Sequence, residues 1–128
     1  MAKNKSPAGN APKPLDLDLR PGQSIELLKE LHILTREGKI NQDSRRKLKQ
    51  VYHLYQFIEK LLQELPASDL GPTLADHGAG KSYLGFILYD LFFKSLGKGA
   101  IYGIETRGEL VTASQALAQR LGFARMYF

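Results

Sequence analysis

The spacing of apolar and polar positions changes character a little past the middle of the chain. In the first part it is helical. Leu27, Leu28, Leu31 and Leu34 recur at three- and four-residue intervals behind Ser24, a residue suited to capping, and predict a helix over residues 25–37 that Gly38 ends. A second helical pattern opens near Asn41 to Ser44 and runs to about Leu65. Leu48, Val51, Tyr52, Tyr55, Ile58, Leu62 and Leu65 form its apolar stripe, and Pro66 closes it. From Thr73 the pattern shortens. Residues 73–76 read as a short buried strand, followed by a glycine-rich turn and a helix over 81–96 with Leu84, Ile87, Leu88, Leu91 and Phe92 inward. Residues 100–105 read as a second strand. Residues 108–121 read as a helix with Leu110, Val111, Leu117 and Leu121 inward, stopped by Gly122, and residues 124–128 open a third strand. The expected fold class is therefore α/β, N-terminal helices followed by a parallel β-α-β-α-β unit with right-handed crossovers.

Composition places the chain among ordinary single-domain proteins. It has 128 residues, 43% of them hydrophobic, with 12 glycines and 6 prolines. Four of those prolines fall in residues 1–22, which read as a flexible tail with "LDLDL" lying extended against the body. The absence of cysteine excludes disulfides, Cys-ligated zinc and a thiol nucleophile. His32, His53 and His77 are too far apart in sequence for metal-ligand spacing, so no metal site is expected. No apolar run reaches membrane-spanning length and no secretion signal is visible, so a cytoplasmic protein is expected.

The net charge of +5 is uneven: residues 1–65 hold 12 basic and 8 acidic side chains, residues 66–128 only 6 and 5. Arg45, Arg46, Lys47 and Lys49 stand in the first turns of the second helix, where the helix dipole disfavours cations. They are either a solvated charged face or a surface for an anionic partner such as RNA.

The stretch from Leu74 to Tyr83, "LADHGAGKSY", carries the chemistry. Read as a phosphate loop ending in Gly80-Lys81-Ser82, it has Ala75 where an early glycine belongs, and Asp76 would repel the phosphates that the loop amides should hold. Read as a dinucleotide fingerprint, it has Tyr83 where the third glycine should let helix and strand approach. Read as D-x-G-x-G, it fits. Gly78 and Gly80 allow a sharp turn with bare backbone beside a ligand, and the following helix aims free N–H groups at a carboxylate. Asp76 can accept from an ammonium group. Glu105 closes the second strand, where its carboxylate can accept both hydroxyls of a ribose. An amino-acid zwitterion, a ribose and a base in a row describe S-adenosylmethionine.

On these residues the sequence resembles the class I S-adenosylmethionine-dependent methyltransferases. Asp76-His77-Gly78-Ala79-Gly80 matches their first motif, (D/E)-x-G-x-G, and Glu105 the acidic end of their second strand. Within that superfamily, "DHGAGKSYLGFILYDLF" is similar to a subgroup with D-x-G-x-G-K-x-Y-L, preceded there by a basic helix like residues 45–62. His77 departs from the usual apolar residue and Ala79 from a common cysteine. The resemblance covers roughly residues 41–128. It implies a partial Rossmann-like sheet, an incomplete class I methyltransferase fold, with residues 23–66 a helical extension and 67–128 the first half of the cofactor-binding domain. Asp76, His77, Gly78, Ala79, Gly80 and Glu105 would then line the cofactor site.

The same resemblance implies seven strands and a catalytic motif at the end of the fourth, so catalytic residues are not assigned. The 128 residues alone are expected to bind cofactor weakly and not to turn over. The bare edge of the first strand is expected to invite self-association. Two other readings stay open: a non-catalytic module that binds RNA or a protein, and nucleotide binding through Gly80-Lys81-Ser82.

Overall fold

The computed structural model describes residues 19–128, so most of the expected tail, with all of "LDLDL" but its last leucine, lies outside the described residues. The chain divides into two compact units, the first ending at Gln50 and the second starting at Val51.

In the first unit, helix α1 (Ile25–Glu30) begins at Ser24, whose Oγ accepts from the Leu27 N–H at 3.1 Å. The helix is much shorter than its apolar spacing predicts. It closes after Leu31 because His32 takes the left-handed conformation, φ 61°. His32 N–H then donates to Lys29 O, and Ile33 N–H to Leu28 O, a Schellman closure with histidine in the place usually held by glycine. The reversal buries Ile33 beside the expected Leu27, Leu28, Leu31 and Leu34. Gly38 belongs instead to a separate turn, where it donates to Thr35 O.

Helix α2 (Gln42–Glu64) opens as the sequence predicts, with Asn41 Oδ1 accepting from Ser44 N–H at 2.8 Å. Its stripe is buried at Leu48, Val51, Tyr52, Tyr55 and Leu62, and Ile58 is half-buried. Leu65 lies past the last turn and is exposed.

The second unit holds a three-stranded sheet in the order β1-β2-β3, all parallel: β1 (Thr73–His77), β2 (Ala100–Ile104) and β3 (Met126–Tyr127). Register runs from Thr73 beside Ala100 to His77 beside Ile104, and Tyr102 pairs with Tyr127. Helix α3 joins β1 to β2. It consists of Tyr83–Leu88, a π-helical segment Tyr89–Phe93 and a last turn Lys94–Leu96. Helix α4 (Gly108–Leu121) joins β2 to β3 and ends at Gly122 with φ 73°. This is the helices-then-parallel-sheet arrangement of a partial Rossmann-like fold.

One face of the sheet is covered and the other is open. On the covered face Ile101 and Met126 are buried, and a Cβ placed on Gly85 of α3 would sit 3.6 Å from Met126 and 3.7 Å from Ile101, so the helix lies close. On the open face Tyr102, Ile104 and Tyr127 are exposed, with the two tyrosine rings stacked at 5.1 Å. Strand β1 is the edge strand expected, but it is not buried: Thr73, Ala75 and His77 are exposed and Leu74 and Asp76 half-buried.

The π segment also corrects the expected inward face of α3. An extra residue in the turn shifts the phase of every residue after it. Within the segment Phe93 is buried and the expected Leu91 and Phe92 are only half-buried; ahead of it, where the phase shift does not act, Gly85 to Leu88 are buried and Leu84 is half-buried. Buried Asp90 is held by Lys94 Nζ at 2.6 Å, four residues on. In α4, Ser114, Leu117 and Ala118 are the buried positions. Leu110, Val111 and Leu121 are half-buried.

Candidate functional site

The carboxyl ends of β1 and β2 lie side by side, as parallel pairing of His77 with Ile104 requires. The chain leaves β1 through Gly78, φ 68°, and Gly80, φ 61°. A Cβ at Gly78 would meet nothing within 4 Å, so what demands glycine there is the left-handed backbone, not lack of room. Ile104 O accepts two N–H groups from the turn, Gly78 at 2.8 Å and Ala79 at 3.0 Å, which ties it to the neighbouring strand. Ser82 then also takes a left-handed conformation, φ 65°, before the helix starts. It is buried, with its Oγ 3.4 Å from Ser114 Oγ of α4.

Glu105, the residue after β2, turns its side chain into this mouth. Oε1 accepts from Gly80 N–H at 2.8 Å. Oε2 accepts from Arg107 N–H at 3.1 Å and from Arg107 Nε at 2.7 Å, and Arg107 Nη2 makes a longer contact to Oε1 at 3.4 Å. The guanidinium and the two backbone N–H groups hold the Glu105 carboxyl down at about 2, far below its usual range. Burial pushes the Asp76 carboxyl up, and His77 beside it partly offsets the effect.

The structure thus brings Gly78, Ala79, Gly80 and Glu105 into hydrogen-bonded register. Asp76 lies half-buried in β1 just ahead of them, while His77 and Lys81 are exposed. Sequence reasoning missed Arg107, although its position two residues after an acid at a strand end is a usable signal. It also missed Gly103, where a Cβ would come 2.7 Å from the Phe128 ring. That ring stacks on Phe86 at 5.8 Å. The groove of about 650 Å³ lined by Leu62, Leu65, Pro66, Pro72, Phe92 and Leu96 sits at the start of β1, not at this mouth. Among the described residues no group of His, Asp and Glu could hold a metal, and no helix is long and apolar enough to cross a membrane.

A family model described as "Methyltransferase domain" matches residues 46–128. The chain belongs to that family. No curated protein and no solved structure matches it. The methyltransferase-domain match takes in most of α2 and the whole sheet, and with them the glycine turn and Glu105.

Proposed function

We propose that this methyltransferase domain binds S-adenosylmethionine at the mouth formed by Asp76, His77, Gly78, Ala79, Gly80 and Glu105. The observation that carries the proposal is the Glu105 carboxylate 2.8 Å from the Gly80 N–H, aimed across the turn. The donor set fits the group. A carboxylate at the end of β2 suits a vicinal diol, two bare-backbone positions suit close approach, and Asp76 suits an ammonium. When bound, S-adenosylmethionine supplies a methyl group on a positively charged sulfur, already activated for displacement. The work of these residues is to bind and orient it. Asp76, whose burial disfavours its charge, gains a partner when it accepts from the ligand ammonium.

The acceptor side of the proposal is RNA, supported by Arg45, Arg46, Lys47 and Lys49 in the first turns of α2. Arg46 is paired at 3.1 Å with Asp43 on the surface, a contact that RNA phosphate can displace.

Titration calorimetry with S-adenosylmethionine, S-adenosylhomocysteine and ATP·Mg²⁺ tests the reading. Heat with the first two that Glu105→Ala removes supports it. Heat only with ATP·Mg²⁺, removed by Lys81→Ala, overturns it in favour of nucleotide binding. Retained RNA binding with no response to any of the three marks a non-catalytic binding module.

A further inference from the structure

A carboxylate offers about four acceptor positions, two on each oxygen. At Glu105 four donors already face them: Gly80 N–H and Arg107 Nη2 on Oε1, Arg107 N–H and Arg107 Nε on Oε2. A ribose diol brings two more donors, so two of the four must leave. Two of them are fixed. Gly80 N–H belongs to a turn pinned through Ile104 O, and Arg107 N–H belongs to the residue whose own carbonyl accepts from Leu110 and Val111 to start α4. The other two belong to the Arg107 side chain, which is 62% exposed and can swing into water.

Moving that side chain vacates one position on Oε1 and one on Oε2, the arrangement that neighbouring hydroxyls require. The two backbone donors stay and keep the carboxylate aimed. We infer that Arg107 is a latch on the nucleoside seat, occupying the ribose-binding positions of Glu105 until a diol displaces its guanidinium. The inference rests on the reading of Glu105 as the ribose acceptor. It makes Arg107 a positioning residue whose removal strengthens binding, the opposite of what a ligand-contacting arginine would do.

The test is calorimetric titration of the full chain with S-adenosylhomocysteine, which carries no net charge, at low and high salt. Arg107→Ala is expected to bind about two- to fivefold tighter than the wild type at low salt, the range a displaced surface ion pair allows. Arg107→Gln, which keeps side-chain bulk without the charge, is expected to move the same way. Added salt, which screens the pair, should close the gap by improving the wild type and leaving Arg107→Ala unchanged. Equal or weaker binding by both variants, with Glu105→Ala still abolishing binding, overturns the latch and leaves the cofactor reading standing. No binding by the wild type or by either Arg107 variant overturns both.

Discussion

The Gly80 N–H and the Glu105 carboxylate meet at 2.8 Å across 25 residues of sequence, joining the turn after β1 to the end of β2. Removing the acid therefore frees a turn amide as well as a ligand contact. Glu105→Gln, nearly the same in shape, is expected to weaken S-adenosylhomocysteine binding on the order of tenfold, since hydrogen bonds to a charged group are the stronger class. Calorimetry checks this, and unaltered affinity would remove Glu105 from the site.

Acid should unlock the same clamp. The Glu105 carboxyl is depressed to about 2 from an ordinary 4.5, so its contribution to stability is fully present above pH 4.5 and is lost as pH falls toward 2. Thermal unfolding followed from pH 6 down to about pH 2 should therefore fall more steeply for the wild type than for Glu105→Gln, which has no charge to lose. Parallel curves would deny the carboxylate its partners.

Asp76 carries the opposite sign. Its carboxyl is raised by burial, so the folded chain holds the proton more tightly than the unfolded chain does, and stability declines as pH rises through the raised value. An ammonium-bearing ligand should pull that value down and release protons on binding just above the ordinary range of the group. Calorimetry in buffers of different ionisation heat measures the release, and Asp76→Asn should abolish it.

Gly78 and Gly80 are expected to tolerate alanine sterically but not conformationally. Each substitution forces a side chain into the left-handed region at a cost of about 1–2 kcal/mol. Thermal denaturation should register each as a loss of several degrees. Ser82→Gly at φ 65° should be nearly neutral, because relief of strain is set against glycine's extra chain entropy, about 0.5–1 kcal/mol, and against loss of the buried hydroxyl contact with Ser114 Oγ.

If RNA is the acceptor, Arg45→Glu combined with Arg46→Glu should abolish retention on RNA at low salt while leaving S-adenosylhomocysteine binding intact. Unchanged retention would leave these cations a solvated face.

Much of this fold was legible because local signals agreed with the final packing. Gly122 stops α4 at the expected residue, Ser24 caps α1 as expected, and α2 starts at Asn41, within the stretch where a helix was expected to open. What escaped depends on features that periodicity does not carry. His32 takes a left-handed conformation that reverses the chain and accompanies the burial of Ile33, a turn that helical spacing does not register. The π segment in α3 resets a count that assumes constant pitch. In the candidate site, the spacing of Gly78 and Gly80 and the position of Glu105 at a strand end pointed to their meeting. The partnership with Arg107 did not stand out, because a pair two residues apart faces one way only when the chain bends between strand and helix, as it does before α4.

The double acceptance at Ile104 O has a mechanical result. With the amides of Gly78 and Ala79 fastened to one carbonyl of the adjacent strand, neither strand tip has a hinge of its own. The rim should therefore open there as a single plate, so Gly78 and Ala79 should show one common protection factor against deuterium exchange.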